Sequence, residues 1–233
     1  MKVDDAFETI SRFFNDLIGS LVPGAVLAVG LAVMHLGPGK IVEMSKALDS
    51  AALALIVVGL VFAAGHVLMA AFEVARQRLL RTCHLVKAFD EVEARKRQSF
   101  EFFAEIVHKL RGGDASGAPA KWTYNDLRSV ALSVSAEGAS VSRRFMFISL
   151  LCNGVATALM IILVDFLCCL ALSPRLLFPY DLAPIWFVQS ALMLVAAAAL
   201  FKRGEVFYAR AMTTPFSVAV AELKLKRESD VAK

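Results

Sequence analysis

Apolar residues along the chain gather into four blocks, 17–36, 51–71, 145–172 and 185–201, with stretches of ordinary polarity between them. A helix rising 1.5 Å per residue needs about twenty residues, with a range of about 17–25, to cross roughly 30 Å of hydrocarbon, and each block falls within that range or exceeds it. Strands of a membrane barrel would alternate apolar and polar positions instead. The pattern predicts an all-α fold: an integral membrane four-helix bundle with short segments joining spans 1 to 2 and 3 to 4.

The segment 72–144 follows a different pattern. Leu85, Phe89, Val92, Phe100, Phe103, Ile106, Val107 and Leu110 recur at steps of three and four, which is one face of a helix. Glu91 stands four residues ahead of Arg95, Glu93 ahead of Arg97 and Glu105 ahead of Lys109, the spacing of local ion pairs on a solvated helix. No Gly or Pro occurs between Gly65 and Gly112, so the second span is free to continue outward as one helix. The run Gly112-Gly113-Asp114-Ala115-Ser116-Gly117-Ala118-Pro119 is turn chemistry, and a second helix restarts near Trp122 to Asn125 and returns through Leu127, Val130, Leu132 and Val134. The expectation is a helical hairpin between spans 2 and 3. Its returning arm is shorter by roughly fifteen residues, and at about 1.5 Å of helical rise per residue that leaves part of the descending face unmatched. The surplus face at Phe89, Val92, Phe100, Phe103, Val107 and Leu110 is therefore expected to bend back or to meet another subunit or protein.

Composition agrees with this partition: 58% of the 233 residues are hydrophobic and only 20% charged, with a mean hydropathy of +0.64. A soluble domain is usually less than half apolar. The expected segments are a cytoplasmic N-terminal stretch 1–16, a first transmembrane hairpin 17–71, the cytoplasmic arm 72–144, a second transmembrane hairpin 145–201 and a cytoplasmic C-terminal tail 202–233. The opening MKVDDAFE is acidic rather than basic, so the first span is expected to remain as an anchor. In the tail, Pro215 is expected to interrupt a helical pattern that ends in Lys224, Lys226 and Arg227 and lies on the membrane surface or packs on the hairpin, the alternative being a tail that docks a partner.

Charge supplies the direction. Of the 25 Lys and Arg residues, 22 lie in 1–16, 72–144 and 202–233 and three in the two short connections. The positive-inside rule then puts both termini and the arm of this multi-pass protein in the cytoplasm. Arg76, Arg78, Arg81, Arg143, Arg144, Lys202 and Arg203 would form a basic collar at the inner surface. The net charge of +4 reads as this bias plus attraction to anionic lipid, which argues against direct nucleic-acid binding. Tyr180, Trp186 and Phe187 suit the opposite interface.

Polar residues inside the blocks are the first candidates for chemistry. His66 and Asn153 fall at a similar inner depth to the Pro23-Gly24 kink, and together they form a candidate polar cluster. Interhelical glue and a ligand or ion site are both open there. Nearer the outer side, His35, Asp165 and Gln189 approach one level, either because Asp165 reaches the interface or as part of an ion pathway. The pairs Ala28/Ala32 and Gly59/Ala63 and the run Ala196–Ala199 offer small-residue contacts. Walker, Rossmann, HExxH and GxSxG patterns are absent. Cys83, Cys152, Cys168 and Cys169 lack zinc-ligand spacing, so neither a metal nor another cofactor is expected. Arg78 and His84 match the loose R-x(4–6)-H pattern of HEPN ribonucleases, but a basic juxtamembrane helix produces that spacing easily, and the chain is not read as an enzyme.

Four further features carry a resemblance: Val22-Pro23-Gly24 in the first span, Gly65-His66 closing the second, Asn125-x-x-Arg128 in the returning arm and Ser142-Arg143-Arg144 before the third. In this order they resemble small four-span membrane subunits encoded in bacterial antiphage defence loci, the Kiwa type among them. The resemblance implies an inner-membrane sensor or effector that forms homo-oligomers in the bilayer and acts with a cytoplasmic effector protein or small-molecule signal. The alternative is a homo-oligomeric ion channel or small-solute transporter.

Overall fold

The computed structural model describes residues 3–47, 50–75, 89–110, 122–178 and 183–231, with the side chains of 17–44, 46, 50–75, 89–109, 122–178 and 186–226. Among these residues the chain is helical: α1 (Val3–Ala47), α2 (Ala51–Ala75), α3 (Glu91–Arg95), α4 (Gln98–Leu110), α5 (Tyr124–Val134), α6 (Ala136–Leu172), a 3-10 turn at Pro174–Leu176, and α7 (Ala183–Val231). Four helices are long and apolar enough to cross a membrane, over Leu17–Met44, Ala51–Ala75, Ala136–Leu172 and Trp186–Lys226. The chain divides into two compact units, one of residues 1–87 and 147–204 and one of 88–146 and 205–233.

In the first unit α1 and α2 meet backbone to backbone. A Cβ on Gly65 would overlap the Ser20 carbonyl oxygen, and one on Gly24 would overlap that of Val61. Only glycine allows this approach, the small-residue contact by which apolar helices gain van der Waals energy without a hydrophobic drive. At the Gly59/Ala63 pair no described helix of the chain makes the expected close contact: Gly59 has nothing within 4 Å of where its Cβ would stand, and both residues are exposed. Phe72 stacks on Phe201 at 5.6 Å over Ala156 and Ala197, and Met34, Ile162 and Phe166 form a second cluster joined by Trp186. Elsewhere Leu55, Leu60, Val67, Val74, Val164, Leu192 and Val195 stand exposed. That much bare aliphatic surface suits hydrocarbon rather than water.

Pro38 explains how α1 bends. It has no N–H for the Met34 carbonyl four residues back and disfavours helical geometry in the residue before it. Gly37 accordingly takes φ 79°, and the freed Met34 carbonyl accepts the Phe178 N–H at 3.0 Å. The 3-10 turn is thereby tied to α1.

The second unit has an aromatic core. Phe103, Tyr124, Phe216, Ala131 and Ala219 are at most 1% exposed. Tyr124 stacks on Phe100 at 5.3 Å, and Phe216 presents its edge to Phe100, Phe103 and Tyr124 at 5.0–5.7 Å, the offset and edge arrangements that the ring quadrupole favours. α5 starts on a reciprocal capping box between Thr123 and Asp126; the Thr123 hydroxyl and N–H hold the Asp126 carboxyl below its usual range. Three expectations change here. Phe89 and Asp90 lie outside helix, and Asp90 caps a new short helix by accepting the Glu93 N–H, so the arm is not one continuous rod. With α3 ending at Arg95, Glu93 pairs with Lys96 rather than Arg97, and Arg97 donates to the Thr213 hydroxyl at 3.2 Å; the Glu91–Arg95 and Glu105–Lys109 pairs do form, each at 2.6 Å. Finally, α7 runs through Pro215. The carbonyl that Pro215 cannot serve is that of Ala211, four residues back, and it accepts the Ser142 hydroxyl at 2.7 Å and Arg128 at 3.4 Å. The proline thus opens a docking point instead of ending the helix.

Tyr124 donates its hydroxyl to the Met212 carbonyl at 3.0 Å, and burial pushes its pKa from 10.0 up to about 12. A folded-state value above the unfolded one means that the folded chain holds its proton longer. This contribution is therefore whole below pH 10 and is lost as pH climbs toward 12. Tyr124→Phe is expected to cost about 1 kcal/mol at neutral pH, one hydrogen bond, and to flatten the alkaline fall in melting temperature. A fall of equal steepness in both proteins would contradict this.

Candidate functional site

The residues of the expected inner cluster separate into distinct contacts. His66 Nδ1 donates to the Phe62 carbonyl at 3.2 Å, one turn back, which leaves Nε2 to accept the Ser20 hydroxyl at 3.5 Å. The Phe62 ring meets the imidazole edge to face at 4.4 Å, and His66 as a whole is exposed on α2. Pro23 is fully buried and packs against Gly154. Asn153 faces α7: Ser149 donates to the Gly204 carbonyl at 2.7 Å, Asn153 reaches Ser149 at 3.5 Å, and its buried Oδ1 has no hydrogen-bond partner. No hydrogen bond joins His66 to Asn153. These groups read chiefly as interhelical ties, with the Asn153 oxygen left over.

The outer group is tighter. His35 Nε2 lies 2.7 Å from Asp165 Oδ2, and His35 Nδ1 lies 3.0 Å from the Leu176 carbonyl. Gln189 instead lines, with Ser190, a cavity of about 480 Å³ between α1, α6 and α7 whose walls are otherwise apolar, Met34, Phe166, Trp186 and Met193 among them. Cys169, one turn after Asp165 on α6, completes a group with His35 and Asp165 in which the three ligand-type atoms lie within 4.8 Å of one another. Cysteine spacing alone does not reveal it, because its other members are not cysteines and one comes from a different helix.

The expected partner face is largely consumed by the second unit. Phe100 and Phe103 are buried in its core and Phe89 packs against Tyr124 at 5.5 Å, so these three are scaffold rather than surface, because α7 supplies the partner that the shorter returning arm lacks. Val92 is 68% exposed, Val107 is partly buried, and the Leu110 side chain lies outside the described residues. What remains open is a groove of about 340 Å³ with Ile106, Val107, Trp122, Val130, Val134 and Leu223 around a floor of Phe103. Of the basic collar, Arg143, Arg144, Lys202 and Arg203 are exposed. Arg76, Arg78, Arg81, Cys83, His84, the turn at 112–119 and Tyr180 lie outside the described residues.

Comparison with protein-family models, with curated proteins and with solved structures gives no match.

Proposed function

We propose that the protein is an oligomeric inner-membrane sensor or effector of bacterial antiphage defence, with both termini in the cytoplasm, whose second unit docks an amphipathic helix of a cytoplasmic partner protein. The groove over Phe103 carries the reading: an apolar slot on a unit with charged pairs at Glu91–Arg95 and Glu105–Lys109 is what a row of side chains at i, i+3 and i+4 fills. The motif order shared with four-span defence subunits supports the setting, and two of those residues, Arg128 and Ser142, meet at 3.0 Å and hold the Ala211 carbonyl. Assembly in the bilayer has its own motive in His66, a polar side chain exposed on an apolar helix that a second copy would cover. A channel is less favoured, because between the Ser20 and Asn153 level and the His35 and Asp165 level α1, α6 and α7 offer Thr157, Gln189 and Ser190 rather than a continuous polar line, and Thr157 is bonded to the Asn153 carbonyl.

The test is phage challenge of cells expressing the chain with its neighbouring genes. Val107→Arg combined with Val130→Arg is expected to reduce protection to the level of a strain without the gene, while the variant reaches the membrane at normal abundance. Full protection by that variant would remove the groove from the mechanism. A wild-type chain that protects against no phage would remove the defence reading altogether.

A further inference from the structure

We propose that His35, Asp165 and Cys169 bind a divalent transition metal of the zinc class between α1 and α6. The hydrogen-bond geometry at His35 is the starting point. A carbonyl oxygen only accepts, so Nδ1, 3.0 Å from the Leu176 oxygen, carries a hydrogen. Nε2 then turns a lone pair toward Asp165 Oδ2 at 2.7 Å, and two acceptors at that distance repel unless something electropositive lies between them. A proton satisfies the pair. It makes no use of the third donor, Cys169 Sγ, which reaches within 4.8 Å of both partners from a residue only 8% exposed.

A metal uses all three. Nitrogen, carboxylate oxygen and thiolate sulfur are zinc ligands at about 2.0–2.3 Å, and three protein donors with a water in the fourth position are the usual open site. Tetrahedral placement asks the donors to stand about 3.3–3.7 Å apart. His35 and Asp165 must therefore part slightly and Cys169 must swing in, which are rotamer-scale movements. Side chains of His35 and Asp165 that are 30% and 36% exposed leave room for the fourth ligand.

Supporting features surround the three donors. The Leu176 carbonyl fixes the imidazole so that Nε2 is the donor, the outer-shell device of many metal-bound histidines. The turn bearing Leu176 is itself held by Phe178 N–H on the Met34 carbonyl that Pro38 leaves free. Asp165 and Cys169 stand at i and i+4 and share a face of α6. Charge also balances: a dication with one carboxylate, one thiolate and a neutral imidazole is formally neutral, which suits a site among apolar helices.

The experiment uses the full chain in detergent with its thiols reduced, loaded with zinc or cobalt and freed of excess by gel filtration. About one zinc per chain is expected, three protein ligands making one site, and the cobalt form is expected to show thiolate-to-cobalt charge transfer. Cys169→Ser should abolish that band. His35→Gln and Asp165→Asn should lower zinc retention at least about tenfold, the scale of even an outer-shell loss. Cys168→Ser, whose side chain is exposed and outside the group, should change neither. A wild-type chain that retains no zinc, a cobalt spectrum without the thiolate band, or loss of the band in Cys168→Ser but not Cys169→Ser would overturn the site. The wild-type cobalt spectrum decides alone should a variant elute as aggregate. Failure here leaves the docking groove untouched, since that is read by phage challenge.

Discussion

Gly65→Ala is expected to force α1 and α2 apart. The added Cβ would sit inside the Ser20 carbonyl oxygen, and the obstacle is backbone, so no rotamer change relieves it. Overpacking a tight contact costs about 1–3 kcal/mol and occasionally more; a clash between two main chains belongs at the upper end. The shift would also break the Ser20–His66 hydrogen bond, already long at 3.5 Å. Gly24→Ala meets the Val61 carbonyl in the same way and should behave alike. Gly59→Ala is the control: it sits on the same helix with nothing within 4 Å, and the gain in helix propensity leaves it neutral or slightly stabilising. The measurement is the melting temperature of the detergent-solubilised chain. Equal values for Gly65→Ala and Gly59→Ala would mean that the close approach does not exist.

This contrast also shows what the residue pattern could disclose. Small-xxx-small spacing picks Gly59 with Ala63 on α2, and on α1 it sets Gly24 four residues from Ser20 and from Ala28, but the rule works along one helix, whereas the contact that forms lays Gly24 and Gly65 of two helices against the Val61 and Ser20 carbonyls. The four apolar segments were legible, since length and hydropathy are local properties that need no partner. The amphipathic face at Phe100 and Phe103 was legible as a face but not as to what covers it. Its cover comes from Phe216 in α7, more than one hundred residues away, behind a proline that reads as a break. Likewise Glu93 stands at ion-pair spacing from Arg97, yet α3, which Asp90 starts, is already capped at Lys96, and Arg97 beyond it turns to Thr213. At the outer group, His35 and Asp165 were placed at one level by counting residues. Cys169 entered only with the helical turn that aligns it beside Asp165, and Leu176 only with the turn that Phe178 ties to α1.

Phe216→Ala is expected to release the C-terminal part of α7 from the second unit. Phe216 is 1% exposed and its ring edge meets Phe100, Phe103 and Tyr124 at once, so truncation removes the centre of the aromatic core and leaves a cavity whose rigid aromatic walls collapse poorly. Phenylalanine-to-alanine changes of this kind cost about 3–5 kcal/mol, a large part of the about 5–15 kcal/mol by which a folded domain is stable. The polar docking points next to it cannot substitute for the ring. Ser142 on the Ala211 carbonyl and Tyr124 on the Met212 carbonyl each contribute about 1 kcal/mol net, and both depend on the same helix staying in place. Limited proteolysis and hydrogen exchange over residues 205–226 should therefore rise sharply in Phe216→Ala, whereas Val92→Ala, removing a side chain already 68% exposed, should leave both unchanged. Phe216→Leu, which keeps most of the buried volume, should fall between. Retained protection of 205–226 in Phe216→Ala would mean that the proline-opened carbonyl, and not the aromatic core, fastens α7. Pro215→Ala would then be the more damaging change, because the N–H it restores competes with Ser142 for the Ala211 oxygen.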